Sequence, residues 1–218
     1  MIASLAVTAE TSLRLDLPDD AVDEPAEQLP VIDVSRLPGA AIAPRRGFQS
    51  AGEGGAALRA LCVTAPSDRW APGVEELVLE RASGLARGAL GGEVTRFDLG
   101  ALDRSGPRFT QRFEGSVLRG GAPWSARGQH LLGFSGEART AVLCSVVCVE
   151  PGAAAKRCDA RMESLRAEGA WTSAPPPSLA VRAILFTAER PALGVGMAGA
   201  LALAIVALVL WRRPRPRW

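Results

Sequence analysis

Four cysteines are the residues in this chain whose type and spacing most directly predict chemistry. They are Cys62, Cys144, Cys148 and Cys158. An even number of cysteines is typical of a protein that forms disulfides in an oxidising compartment. The alternative, which applies to a cytoplasmic domain, is four buried free thiols. A zinc site is disfavoured, because the C-x3-C-x9-C spacing lacks a C-x2-C knuckle and the chain has only one histidine.

The elements that must position the cysteines narrow their pairing. Residues 140–149 are predicted as a strand, which places Cys144 and Cys148 on the same face about 13 Å apart. Because a disulfide needs Cα atoms within about 7 Å, these two should not bridge each other. Pro151 and Gly152 then turn the chain into a helix that bears Cys158. The spacing therefore favours a Cys148–Cys158 bridge, with Cys62–Cys144 as the second.

His130 is the only imidazole, and hence the only histidine available as a general base for Ser135 or a cysteine. A histidine on the surface, or satisfied within a strand, is the favoured interpretation. The sequence around Ser135 is one residue short of a nucleophile elbow, and the G-x-G-x-x-G match at residues 194–199 falls inside an apolar span. We therefore predict no catalytic residue, no cofactor and no metal site.

Residues 191–211 are predicted as a transmembrane helix. No charged or strongly polar side chain occurs from Leu193 to Trp211, and about 20 apolar residues in a helix cross a bilayer. Trp211 would lie at the interface, where indole rings are enriched. The arginine-rich tail, residues 212–218, follows with Arg212, Arg213, Arg215 and Arg217. A buried core helix is the alternative interpretation of this span.

An apolar span followed by an arginine cluster resembles bacterial C-terminal membrane-sorting tails, over residues 191–218. The resemblance implies an exported protein held at the membrane until a protease processes it. Those tails carry a short recognition motif before the span. Glu189, Arg190 and Pro191 stand at that place here and do not match it.

The arginine tail also predicts topology, because arginine-rich segments stay cytoplasmic. The domain would then face the periplasm or exterior from the cell inner membrane. Residues 1–9 are interpreted as the end of a signal peptide, with Val7 and Ala9 at positions −3 and −1 of a cleavage site and the true start upstream. The alternative is a tail-anchored protein with its domain in the cytoplasm, which needs no signal.

Small residues recur along one face of the predicted span, at Gly194, Ala198 and Ala202. Small residues at every fourth position let two transmembrane helices approach closely, so this face predicts a homodimer or a membrane protein partner. The alternative is an ordinary span in a chain rich in alanine and glycine.

The remainder predicts one α+β domain over residues 47–190, preceded by an acidic, proline-rich lead-in over residues 10–46. Amphipathic helices are predicted over 74–90 and 153–168. The predicted inward residues of the first helix are Val74, Leu77, Val78, Ala82, Leu85, Ala86 and Leu90. Those of the second are Ala155, Cys158, Met162 and Leu165, with Gly169 as its predicted C-cap. Strands are predicted over 109–117, 129–135, 141–149 (as the central strand) and 179–188, whereas residues 58–63 fit either a helix or a strand. Short connections favour a mainly antiparallel sheet with about two helices packed on it.

The charge of the chain and the motifs it contains limit the classes of function that are possible. Without the four tail arginines the chain has 21 basic and 23 acidic residues, so its charge predicts no nucleic-acid partner. The sequence predicts a single-pass, disulfide-bonded bacterial membrane protein whose domain is a non-catalytic binding or assembly module. The alternatives are a membrane-tethered hydrolase without a recognisable motif and a cytoplasmic tail-anchored adaptor.

Overall fold

The computed structural model describes residues 2–17, 19–32, 40–43, 45–50, 55–67, 73–104, 106–136, 140–176 and 179. The chain divides into two compact units, Met1–Pro176 and Pro177–Trp218. The predicted strand over 179–188, apart from residue 179, lies outside the described residues, as do the predicted span 191–211 and the tail 212–218. Within the described ranges, no helix has the length and apolar character needed to cross a membrane.

The first unit is built from twelve strands and two α-helices in its described parts. The helices are α1 (Glu75–Leu90) and α2 (Lys156–Ser164). The first six strands are β1 (Ile2–Ala6), β2 (Thr11–Asp16), β3 (Ala21–Asp23), β4 (Ala41–Ile42), β5 (Arg46–Ser50) and β6 (Ala57–Pro66). The other six are β7 (Glu93–Asp103), β8 (Phe109–Arg119), β9 (Ala122–Ser135), β10 (Thr140–Pro151), β11 (Arg166–Gly169) and β12 (Trp171–Thr172).

These strands form two antiparallel sheets. The main sheet has the order β3-β5-β6-β10-β9-β8-β7, with β4 added to β6 and β12 added to β9. The small sheet has the order β1-β2-β11. All strand pairs among the described residues run antiparallel, as expected where short turns join successive strands. The predicted α+β class, with two helices on an antiparallel sheet, is confirmed for this unit.

Strand β10 is the central strand that its continuous apolar run predicts. On one face, Cys144, Val146 and Cys148 pack with the small sheet and with α2. On the other face, Val147 and Val149 pack with α1. The segment 58–63, which its pattern leaves open between helix and strand, belongs to β6 because β10 pairs with it along ten residues.

Helix α1 matches the predicted segment 74–90 to within one residue and ends at Gly91, which has the left-handed φ of 66°. Carbonyls left free at the helix end accept hydrogen bonds from the sheet: Arg59 donates to Ala89 O at 2.6 Å and Arg119 donates to Leu90 O. The predicted inward face was partly wrong, because Leu77 is 52% exposed whereas Leu79 is fully buried.

Helix α2 is shorter than the predicted helix over residues 153–168. It ends at Ser164, and the following residues form β11, which pairs with β2. Its predicted inward residues Cys158, Met162 and Leu165 are buried. Gly169 is not a helix cap but the last residue of β11, where φ is 103° and an added Cβ would lie 2.0 Å from Glu10 O. Pairing with a distant strand therefore overrides the local helical pattern.

The described residues of the segment predicted as an acidic lead-in, residues 10–46, are instead built into the domain. Its strand β2 has Leu13 and Leu15 buried in the core. Its acidic residue Glu24 is buried and forms an ion pair with Arg59 of β6. The described residues before residue 47 therefore belong to the domain, because alternating leucines join the acidic segment to the small sheet.

Residues 1–9 also contribute to this structure, which bears on their interpretation as the end of a signal peptide. Residues 2–6 form β1, which pairs with β2, and Leu5 and Val7 are buried. Cleavage after Ala9 would remove this strand from the small sheet and uncover the apolar side chains of β2.

Replacing a buried leucine of β1 tests whether this strand belongs to the native fold. We expect Leu5→Ala to lower the free energy of unfolding by about 2 to 5 kcal/mol, because it leaves a cavity in the core. Ile2→Ala is the matched control on the same strand, because Ile2 is 56% exposed. Urea unfolding of the full chain in detergent measures both. Equal stability of Leu5→Ala and the unmodified chain would exclude β1 from the fold.

Candidate functional site

Both disulfides attach to the central strand β10. Cys144 lies directly opposite Cys62 in the register of β6 and β10, with Cα atoms 4.1 Å apart. Cys148 bonds to Cys158 of α2, with Cα atoms 5.4 Å apart. None of the four cysteines is free, and the pairing is the one that the strand spacing favours.

In addition to the apolar packing of α2, three attachments hold this helix against the main sheet, and the first is the Cys148–Cys158 bridge. The buried Glu150 carboxylate accepts hydrogen bonds from the backbone N–H groups of Arg157, at 3.1 Å, and Cys158. A carboxylate at the N-terminal end of a helix is stabilised by the unpaired backbone N–H groups of the first turn and by the helix dipole. Arg127 of β9 adds an ion pair to Asp159 at 2.9 Å.

A groove runs between α2 and the outer strands of the main sheet. Asp159, Met162 and Glu163 of α2 line one side, and residues of β7, β8 and β9, including Arg112, line the other. The cavity has a volume of about 460 Å³. An adjoining hollow of about 500 Å³ shares Arg112, Met162 and Glu163 with it and extends toward β11. We call this surface the α2 groove.

The α2 groove carries both paired and unpaired charges. Arg127 contacts Glu114 at 3.4 Å in addition to Asp159, so one arginine is shared between two carboxylates across the groove. Arg112 and the Glu163 side chain form no ion pair with another residue in the described ranges. The groove therefore offers one cationic and one anionic group to a polar ligand or partner.

His130 lies on β9, on the face of the main sheet that α1 covers. Its Nδ1 is 2.9 Å from the Ser145 hydroxyl, which occupies the facing position on β10. Its ring stacks on Phe113 with centroids 4.8 Å apart. Both His130 and Ser145 are fully buried, and the Nε2 atom of His130 has no hydrogen-bond partner among the described residues.

The environment of His130 is that of a neutral core histidine. Burial lowers the pKa of His130 from 6.5 to about 4. Ser135, the serine that the sequence suggested as a partner of His130, instead donates a hydrogen bond to the Glu10 carboxylate at 3.2 Å. The structure thus gives His130 an aligned serine, but both side chains are closed off from solvent, whereas a general base must reach its substrate.

Sequence reasoning located the cysteines but not the groove. The interface residues Trp211, Arg212, Arg213, Arg215 and Arg217 lie outside the described residues, as does the Gly194, Ala198 and Ala202 face. The role of Glu150 at the start of α2 could have been predicted from the sequence. Its carboxylate ends an apolar run and precedes a Pro-Gly turn and a helix. No sequence pattern predicts that Arg112 and Glu163 lie close together, because their proximity depends on the packing of α2 across the sheet.

Comparisons with known proteins identify no family for this chain. No family model matches it, and no curated protein matches it. A solved structure, that of LpqN involved in cell envelope biogenesis of Mycobacterium tuberculosis, is similar to it with 11% identity and a TM-score of 0.43. The match covers 77% of this chain and 90% of that one. A similarity of this degree carries no argument about function.

The buried imidazole should make stability depend on pH. Its pKa is about 4 in the folded chain and 6.5 otherwise, so the unfolded chain binds the extra proton first as the pH falls. We expect the free energy of unfolding to decrease between pH 6.5 and pH 4, by roughly 3 kcal/mol at most.

His130→Gln isolates this effect, because glutamine retains a hydrogen-bonding group but does not titrate. Urea unfolding at pH 7, 6, 5 and 4.5 should show a steeper loss for the unmodified chain than for the variant. No other histidine exists to blur the comparison. Parallel curves for the two proteins would show that His130 is not buried as a neutral group.

Proposed function

We propose that this chain is a single-pass membrane protein whose disulfide-bonded α+β domain lies outside the cytoplasm and acts as a non-catalytic binding or assembly module. The observation that carries the proposal is that all four cysteines pair within the domain core. Structural disulfides persist in oxidising compartments and are rare in the cytoplasm. The apolar sequence of residues 191–211, followed by four arginines, supplies the anchor and the topology.

The binding role is supported by the α2 groove. Three attachments fix α2 beside the outer strands, and Arg112 and Glu163 face this space without an ion pair inside the described ranges. The hydrolase alternative depends on His130, whose ring is buried. The span face at Gly194, Ala198 and Ala202 is proposed to contact a membrane partner or a second copy.

Counting thiols in cells distinguishes this proposal from a cytoplasmic tail-anchored adaptor. Cells are quenched in acid, and the denatured protein is then treated with a mass-shifting maleimide, with and without prior reduction. We expect no shift without reductant and a four-thiol shift with it, because the domain is exported and oxidised. A four-thiol shift in both samples would contradict export.

Topology is tested with two single-cysteine additions that serve as controls for each other. Leu77→Cys adds a thiol on an exposed site of α1, and Trp218→Cys adds one at the end of the arginine tail. An impermeant maleimide applied to intact spheroplasts should label the first and spare the second. Labelling of Trp218→Cys alone would reverse the orientation, and labelling of neither would place both sites in the cytoplasm.

A further inference from the structure

Strand β7 forms one edge of the main sheet. It spans Glu93–Asp103, and within the described part of the chain only β8 pairs with it. An edge strand of eleven residues presents a row of backbone N–H and C=O groups that another strand is able to pair with. The strand at the other edge, β3, has only three residues. The long edge is therefore the one suited to strand addition.

The two faces of β7 differ in chemistry. Phe97 and Leu99 lie opposite Gly115 and Phe113 of β8 and so belong to the apolar side that faces α1. Phe97 is half-buried, and Leu99 is 37% exposed. Arg96 and Asp98 point to the other side of the sheet, where both are exposed. They form an ion pair with each other, and Arg96 also contacts Glu114 at 3.4 Å. An incoming strand would therefore contact apolar groups on one side and charges on the other.

The pairing of β7 with β8 is regular only in its middle. The register shifts once between Val94 and Arg96 and again between Leu99 and Leu102. Such bulges interrupt the ladder of an edge strand and limit what pairs with it. A new strand must therefore be centred on the regular run from Arg96 to Leu99.

Charge selects one arrangement for two copies of this run. In a two-fold antiparallel pair, one residue lies opposite its own copy. A centre at Arg96 or at Asp98 would set two like charges opposite each other, which is destabilising. A centre at Phe97 sets Arg96 of each copy opposite Asp98 of the other. The ion pair within each strand is then joined by two attractive pairs between the strands, on either side of the two Phe97 residues. A centre at Leu99 does not set Arg96 of one copy opposite Asp98 of the other, so it gives no such attractive pair.

We infer that β7 pairs with β7 of a second copy of this chain, antiparallel about a two-fold axis at Phe97. The main sheet then continues across the two copies, with both α1 helices on the same side. The α2 groove borders β7 on one face, and a hollow of about 600 Å³ beside α1 borders it on the other. Both leave room for side chains of the added strand. This inference does not depend on export or on the membrane anchor.

Charge reversal of the full chain in detergent tests the pairing. We expect a dimer by sedimentation or light scattering, and Arg96→Asp or Asp98→Arg should each raise its dissociation constant roughly tenfold or more, because two attractive pairs become repulsive. The double variant Arg96→Asp/Asp98→Arg restores both pairs and should recover the dimer. Arg14→Asp is the matched control, since Arg14 forms an exposed ion pair with Glu168 on the small sheet.

Mixing the two single variants separates pairing from misfolding. One variant then carries two aspartates and the other two arginines, so they should form a mixed dimer more tightly than either forms its own. A monomeric unmodified chain would overturn the inference. A dimer that both single variants leave unchanged would assign dimerisation to another surface, such as the span. Equal weakening in the single and double variants would also overturn it.

Discussion

Two disulfides on one face of β10 hold together the main sheet and the helix packed on it. Cys144 ties β10 to β6, and Cys148 ties it to α2. The first bridge closes 82 residues of chain and the second closes 10. In the chain-entropy account they stabilise the fold by about 4.5 and about 3 kcal/mol. The long bridge thus secures the sheet, whereas the short one fixes the position of the groove.

Local sequence patterns predicted the elements whose tertiary contacts agree with their local preference for helix or strand. Strand β10 is apolar on both faces and α1 is amphipathic and ends at a glycine, so both were located from sequence. The small sheet was not predicted. Leu13, Leu15 and Leu17 alternate as in a strand, but the many acidic residues and prolines around them led to the interpretation of a lead-in. The end of α2 was misplaced because only distant β2 makes residues 166–169 extended.

The candidate site was predictable only where covalent geometry constrains it. Strand spacing excluded a Cys144–Cys148 bridge and led to the pairing seen in the structure. The α2 groove had no comparable signal, since Arg112, Arg127 and Glu163 come from three elements that meet only after packing. The burial of His130 likewise depends on α1 and on the ring of Phe113, which no local pattern places over β9.

The two disulfides are best tested by mass spectrometry of peptides from the unreduced protein, isolated from membranes with free thiols blocked. The fold predicts one tryptic species in which the peptide that carries both Cys144 and Cys148 is linked to the peptides of Cys62 and Cys158. Fragmentation between Ser145 and Val147 should assign Cys144 to Cys62 and Cys148 to Cys158. A link between Cys144 and Cys148 would contradict it, because their positions on β10 forbid that bond in this fold. Four blocked, unlinked cysteines would contradict both the cross-linked core and the compartment inferred from it.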